Sequence, residues 1–140
     1  MQITKLALIA SASVAATIAF PSTAHASSQN FQSPSGNIAC ILDSGGAACD
    51  IAEYTYQVPP GPECSKHIKW GNRFTLNAGQ LGAMACHGDT LRVAGEQTLN
   101  YGQTLSAGSI TCASDPSGMK CTDNSSGHFF QVSKDSYNLG

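Results

Sequence analysis

The chain has 140 residues and a formal net charge of −2, with 11% charged and 41% hydrophobic residues. This length is typical of a single domain with one modest core. The acidic balance argues against a nucleic-acid-binding protein, because such proteins usually present a broad positive field to phosphates.

The first 26 residues have the organisation of a cleavable signal peptide. Lys5 supplies a basic start, residues 6–20 are apolar or small, and Ala24-His25-Ala26 forms an A-x-A cleavage signal. The apolar run is shorter than the roughly 20 residues that a membrane-spanning helix needs, so we expect no stable membrane insertion. Cleavage would leave residues 27–140 as one secreted β domain, with six Lys and Arg, nine Asp and Glu, and a net charge of −3.

All six cysteines lie beyond this leader. An even number of cysteines in an exported chain is typical of a disulfide framework. Their spacing contains no C-x₂₋₄-C pair, which argues against a zinc ribbon and against a thioredoxin-type redox motif. We therefore expect structural disulfides and neither a metal nor another cofactor. The cysteines are Cys40, Cys49, Cys64, Cys86, Cys112 and Cys121.

A nearly identical sequence motif occurs twice in the chain. Residues 36–40 and 108–112 both read Gly-x-Ile-x-Cys, and each is followed at matching offsets by an aspartate, a glycine and a second cysteine. This repetition predicts one supersecondary unit used twice. Repeat-like halves near 31–62 and 103–138 then flank an unrepeated middle, 63–102. The aromatic-Gln-Val triplets at 56–58 and 130–132 suggest that the repetition extends beyond the cysteines.

Each copy is predicted to be a β-hairpin closed by its own disulfide. Strands at 38–43 and 47–52 form the first hairpin, and strands at 110–114 and 119–122 form the second. If the turns are residues 43–46 and 115–118, Cys40 faces Cys49 and Cys112 faces Cys121 at non-hydrogen-bonded positions, where the Cα atoms are about 4.5 Å apart. Cys64 and Cys86 are then left to pair. A G1 bulge at Gly46 or Gly118 would instead slip the register by one residue and change the pairing.

The middle segment gives weaker signals. Residues 90–94 and 98–101 show alternation and predict a hairpin with a turn at 94–97. Residues 76–86 invite a helical turn, which two glycines weaken. The short strands and the 14 glycines together predict an all-β fold, a small disulfide-stapled sandwich or barrel built on the two hairpins.

Residues 66–74 form the candidate binding surface. This segment contains three of the six cationic residues of 27–140 and the only tryptophan. Trp70 could stack on a sugar while the cations meet an anion, such as an envelope polysaccharide. A strand with Ile68, Trp70 and Phe74 turned inward and the charges solvated explains the same pattern. The candidate residues are Lys66, Lys69, Trp70 and Arg73.

No catalytic motif stands out. The chain lacks a G-x-S-x-G elbow, an H-E-x-x-H helix and a P-loop. His87-Gly88-Asp89 is the most enzyme-like fragment, but a tight turn in which Asp89 bonds local backbone explains it. His128 fits a half-buried sheet position, and residues 123–127 lack the spaced acidic ladder of a calcium loop. We expect a protein that is not an enzyme, with no catalytic, cofactor-binding or metal-binding residues.

One stretch of the chain also resembles a known family. Residues 31–40 read F-x-S-P-x-G-N-I-x-C, and they occur with Cys-His-Gly-Asp-Thr at 86–90, Tyr-Gly at 101–102 and Gly-His-Phe-Phe at 127–130. These phrases resemble a family of small exported proteins and lipoproteins of actinobacteria whose function is unassigned. The resemblance implies a cell-envelope or secreted setting and supplies no catalytic residue. Family members with a lipobox are membrane-anchored, whereas this sequence lacks that cysteine, so we expect free secretion.

Three functional hypotheses follow. The leading one is a secreted, non-enzymatic binding or interaction module whose partner is an envelope component or another exported protein. The second is a protease inhibitor that presents the proline-rich loop 56–64, with Cys64 anchoring its end. The third is a small hydrolase that uses His87 or His128 with a nearby carboxylate.

Overall fold

The structure is a computed structural model that describes residues 13–14 and 27–140. Apart from residues 13 and 14, the predicted signal peptide lies outside the described residues. In the described part no helix could span a membrane, because every regular element there is a strand. The eleven strands are β1 (Gln29–Gln32), β2 (Ile38–Asp43), β3 (Gly46–Ile51), β4 (Lys69–Asn77), β5 (Ala83–His87), β6 (Gln97–Thr98), β7 (Thr104–Ala107), β8 (Ile110–Asp115), β9 (Gly118–Asp123), β10 (Phe129–Val132) and β11 (Tyr137–Leu139).

The strands form two sheets that pack face to face. The first sheet has the order β5-β4-β3-β2-β1-β6 and the second has the order β11-β10-β9-β8-β7. All neighbouring strands are antiparallel except β1 and β6, which run parallel. Contacts of β4 with β9 and β10, and of β2 and β3 with β8, hold the sheets together. The predicted all-β class is confirmed, and the architecture is sandwich-like rather than a closed barrel.

Both hairpins have the predicted register. Asp43 pairs with Gly46 and Asp115 with Gly118, so neither turn contains the extra residue of a bulge. The Cα separation is 4.1 Å for Cys40–Cys49 and 4.0 Å for Cys112–Cys121, as expected for close, non-hydrogen-bonded pairs. Cys64 is bonded to Cys86, which completes the three predicted disulfides.

A glycine after each turn lets the neighbouring strand approach closely. A Cβ on Gly46 would collide with the carbonyl oxygen of Leu76, and a Cβ on Gly118 would collide with that of Val132. Gly118 also has a φ of 131°, which side-chain-bearing residues rarely adopt. The repeated glycines are therefore explained by strand packing beside the hairpins.

The core consists of the inner side chains of both sheets around the two hairpin disulfides. Phe74 lies opposite Cys49 and Phe130 lies opposite Cys121, and the two rings are 6.2 Å apart between centroids. Burial of one such ring contributes about 1.5–3 kcal/mol. Fully buried apolar side chains of the core include Phe31, Leu42, Ile51, Phe74, Leu76, Ile110, Phe130 and Val132.

Three predictions for residues 56–102 are wrong. Residues 76–86 contain the end of β4, a turn and most of β5, and no helical turn. Residues 90–94 form no strand, although a backbone bond from Glu96 N to Val93 O closes a turn there. Triplet 56–58 lies in a loop, and residues 74–76 of β4 occupy the place beside the first hairpin that 130–132 occupy beside the second.

Residues 88–96 instead form a strap across the outer face of the first sheet. The strap begins after β5, which is one edge strand of the first sheet, and ends at β6, which is the other. Its Leu91 N donates to Asp50 Oδ2 at 3.0 Å, and its Leu91 O accepts from Asn30 Nδ2 at 3.4 Å. Bonds to side chains of the underlying sheet thus replace the partner strand that the alternation predicted.

Candidate functional site

A charged cluster lies under the strap on the outer face of the first sheet. Asp50 of β3 and Arg73 of β4 are cross-strand partners, next to the core pair Cys49 and Phe74. Side chains alternate between the faces of a strand, so Asp50 and Arg73 point away from the core. Arg73 donates from Nε to Asp50 Oδ1 at 2.6 Å and from Nη2 to Asp50 Oδ2 at 2.8 Å. This bidentate pair has well-defined geometry, and each side chain is only 11% exposed.

The strap adds a second carboxylate to the same guanidinium. Arg73 Nη1 donates to Asp89 Oδ1 at 2.6 Å. The hydrogen bonds to Asp50 raise the pKa of Arg73 above its usual value, and the bond from Arg73 holds the pKa of Asp89 below its usual value. Both carboxylates therefore accept from one arginine, and neither is free to act as a strong base.

His87 continues the network at the end of β5. Its ring is buried, with Nδ1 2.7 Å from the backbone oxygen of Asp89 and Nε2 2.7 Å from Asn72 Oδ1. The amide orientation of Asn72 follows from its Nδ2, which donates to Ile51 O at 3.2 Å. Both ring nitrogens thus face oxygen acceptors.

A cleft of about 570 Å³ opens beside these residues, and we call it the cluster cleft. Its wall includes the cluster residues Asp50, Asn72, His87 and Asp89, and its other polar lining comes from His67, Lys69, Thr90 and Arg92. With Arg73 behind the wall, three cationic side chains stand with three carboxylates, because Arg92 Nη1 also lies 3.9 Å from Glu96 Oε1. Among the described residues Lys69 is the cation of this lining that has no carboxylate within ion-pair distance.

The structure divides the predicted binding surface. Lys69 lines the cluster cleft, whereas Lys66 is exposed and not part of the lining. Trp70 is half-buried under the preceding loop, where Nε1 donates to Pro59 O at 3.0 Å and the indole packs against Gly61. The interpretation of Arg73 as a surface cation is wrong, because its charge is neutralised by Asp50 and Asp89. A binding role for Lys66, Lys69 and Trp70 stays a prediction.

The three histidines of the described residues are distributed over two places. His67 and His87 line the cluster cleft, and His128 lies just before β10 in the second sheet. The tight turn predicted at residues 87–89 agrees with the bond from His87 to the backbone of Asp89. The carboxylate of Asp89, however, bonds Arg73 rather than mainly local backbone, because the turn folds back onto β4.

The polar loop 123–127 ties the two sheets together. Asp123 is buried, and its carboxylate accepts from Gly79 N at 2.7 Å and from Ser125 N at 3.0 Å. These bonds lower the pKa of Asp123 to about 2. Gly79 follows β4 of the first sheet and Asp123 ends β9 of the second, so the aspartate has a structural role that the sequence analysis missed.

Sequence analysis also missed Asp50 and Asn72. A signal for Asp50 was present, because a residue that follows an inward-facing cysteine in a strand has its side chain on the outer face. No local pattern identifies Arg73 as its partner, because the two residues are 23 positions apart.

Comparison with known proteins gives one match. The model of a family described as "Family of unknown function (DUF6636)" matches residues 11–139. Neither the curated proteins nor the solved structures contain a significant match to the chain.

Proposed function

We propose that the chain, which belongs to this family of unknown function, is a non-enzymatic binding module whose cluster cleft takes an acidic ligand. We place this module outside the cell, where its partner is an envelope component or another exported protein. Three disulfides in a small β domain are typical of an oxidising, extracellular environment. The leader-like residues 1–26 support the same placement.

The observation that carries the proposal is the fixed charge arrangement at the cleft. Asp50 and Asp89 hold Arg73, and Lys69 and Arg92 line the opening with His67. Groups that are already held by one another need little ordering when a ligand arrives. An anionic group such as a carboxylate would meet Lys69 at the rim, with Arg92 beside it.

The same contacts favour binding over hydrolysis. A hydrolase at His87 would need a free nucleophile and a free carboxylate nearby. Thr90 is the hydroxyl-bearing residue of the cleft lining, and its Oγ1 already accepts from Arg92 N at 3.2 Å. The two nearby carboxylates accept from Arg73. We therefore propose that the cluster orients a ligand and does no chemistry on it.

The acidic-ligand proposal is tested with galacturonate as probe and galactose as its neutral counterpart. Backbone amide NMR shifts of residues 27–140 should change around the cluster cleft with galacturonate and not with galactose. Replacing Lys69 by Gln should weaken binding about fivefold, because an exposed charge pair contributes up to about 1 kcal/mol. Lys120→Gln is the matched control, since Lys120 lies on the second sheet over the ring of Phe129. Equal responses to both sugars, or equal effects of both variants, would refute the proposal.

A second function is favoured by the loop at 56–64. Tyr56 is buried, and its hydroxyl donates to Gly71 O at 2.6 Å. Trp70 Nε1 donates to Pro59 O, and the Cys64–Cys86 disulfide fixes the C-terminal end of the loop. Residues 57, 58 and 60–63 are exposed between these anchors. A pinned, exposed loop is the form in which inhibitors enter a protease. Incubation with a panel of secreted proteases should give tight inhibition or slow cleavage within 56–64, and full protease activity with an intact loop would eliminate this candidate.

A further inference from the structure

We propose that the acidic ligand is an oligosaccharide that extends from the cluster cleft into a second cleft, where a sugar ring stacks on Tyr101. This inference rests on the proposed function and adds the class of ligand and its path. It is carried by the adjacency of the two clefts, which share two lining residues, and by the exposed ring in the second one.

The second cleft has a volume of about 590 Å³ and lies where the two sheets meet. Its lining comes from the turn between β1 and β2, from the turn between β8 and β9, and from residues 133 and 134. Ala52 and Arg92 line both clefts, so the two clefts lie side by side at these residues. Together they offer room for linked units rather than for one small molecule.

Arg92 is held at the junction. Its Nη2 donates to Gly36 O at 2.6 Å and its Nη1 lies 3.4 Å from Gln32 Oε1. Nη1 also lies 3.9 Å from Oε1 of the buried Glu96 side chain, and the Arg92 side chain is still 42% exposed, so the guanidinium can also meet a ligand. A repeating acidic sugar could place one carboxylate near Lys69 and another near Arg92.

Tyr101 provides a flat surface in the second cleft. Its side chain lines the cleft and the residue is 55% exposed. The backbone around it is fixed, because Gly102 N donates to Ser114 O at 2.8 Å and Ser114 N donates to Gln103 O at 3.0 Å. An exposed aromatic ring with a polar edge is suited to the mixed surface of a sugar, whose C–H face packs on the ring while its hydroxyls stay hydrated.

Polar groups around Tyr101 match hydroxyls. Asn37 bonds the backbone of Glu53 twice at 2.8 Å, which holds Glu53 in the lining, where its carboxylate can accept from sugar hydroxyls. Lys134 lines the same cleft and supplies a donor. The apolar lining residues Ile38 and Met119 are only 6% and 1% exposed. Hydroxyl and amide side chains also line the second cleft, among them Ser33, Ser35 and Asn37, and they favour a saccharide over an acidic peptide.

The test is titration of residues 27–140 with oligogalacturonates of one to six units, measured by calorimetry or NMR. Affinity should rise about tenfold or more from monomer to hexamer as the chain reaches Tyr101, which is within the range of one aromatic stacking contact. Tyr101→Ala should remove most of this rise, and Tyr101→Phe should keep it. Leu81→Ala, a change at a residue that is 63% exposed and outside both clefts, should follow the wild type.

The outcomes separate this inference from the proposed function. If monomer and hexamer bind equally, or if Tyr101→Ala retains the full rise, the oligosaccharide path is overturned while Lys69-dependent binding still supports the acidic-ligand proposal. If oligoglutamate of equal charge binds more tightly than the oligogalacturonates, the ligand is a peptide and the inference fails. If no acidic sugar of any length binds, both proposals fail.

Discussion

The two disulfide-closed hairpins have the same register but differ in the outward-facing pair beside each disulfide. Next to Cys49 and Phe74 in the first sheet stands the ion pair Asp50–Arg73. Next to Cys121 and Phe130 in the second sheet stands the pair Thr122–Phe129. The inward pairs Cys49–Phe74 and Cys121–Phe130 have the same residue types because they build the core, whereas the outward pairs beside them differ. A charged pair is therefore present on one sheet without a change in the core pair next to it.

The outer faces differ accordingly. In the first sheet, the strap of residues 88–96 covers the ion pair and supplies Asp89, and the cluster cleft opens beside it. In the second sheet, Lys120 Nζ lies 4.6 Å from the centre of the Phe129 ring. The strap belongs to the unrepeated middle of the sequence, but Asp50 belongs to the first repeat-like half. The candidate site therefore combines both kinds of segment.

The largest effect on this comparison is expected from Arg73→Met. Removing the guanidinium leaves the buried Asp50 carboxylate without its ion-pair partner, and loss of one member of such a pair costs about 3 kcal/mol. The corresponding change in the second sheet, Phe129→Met, exchanges one apolar side chain for another and should cost less than about 1.5 kcal/mol. Urea unfolding of residues 27–140 at neutral pH measures both.

A double variant sharpens the interpretation. Adding Asp50→Asn to Arg73→Met removes the uncompensated charge, and the amide oxygen can still accept from Leu91 N. We expect part of the lost stability to return. If Arg73→Met costs no more than Phe129→Met, the Asp50–Arg73 pair is not the feature that distinguishes the two sheets.

The next effect concerns the hairpin disulfides. Each closes a loop with a sequence separation of 9, so the chain-entropy model gives both the same contribution, about 2.7 kcal/mol for roughly ten residues. Replacing Cys40 and Cys49 by Ala should therefore destabilise the domain about as much as replacing Cys112 and Cys121 by Ala. The measurement is again urea unfolding.

Unequal losses of unfolding free energy in the two variants would show that the two hairpin disulfides are not equivalent. A difference of more than about 1 kcal/mol is larger than loop closure can explain, because the two loops are the same length. A greater loss in the first hairpin would mean that its disulfide also holds the strands that carry the charged cluster.

The hairpins could be predicted from sequence because their information is local. In the first hairpin the turn and the disulfide lie within ten residues of one another. Pairing residues outward from the turn, starting with Asp43 and Gly46, gives the observed pair Cys40–Cys49. The strap could not be predicted in the same way. Its alternation at Leu91 and Val93 imitates a strand, but its backbone bonds Asp50 and Asn30, which are far away in the sequence.

The charged cluster is a further example of this limit of local patterns. Arg73 was grouped with Lys66, Lys69 and Trp70 because the four are close in sequence. Successive residues of a strand face opposite sides, and the register with β3 decides which carboxylate each meets. Arg73 therefore joins Asp50, 23 residues away, and Trp70 turns to the loop at Pro59.

The smallest expected effect is a change in pH dependence at Asp123. This residue pairs with Ile110 in the second hairpin, at the position where the first hairpin pairs Ile51 with Ile38. The pKa of Asp123 is about 2 in the folded protein, below its usual 3.8, because Gly79 N and Ser125 N donate to its carboxylate. A lowered pKa contributes stability that is present above about pH 4 and is lost as the pH falls through about 2.

Asp123→Asn should therefore flatten the fall in the free energy of unfolding between pH 4 and 2, leaving the part due to Asp89 and Asp115, whose pKa values are also lowered. Urea unfolding at a series of pH values measures this slope, and an unchanged slope in the variant would show that the buried acid of the second hairpin is not a source of its pH sensitivity.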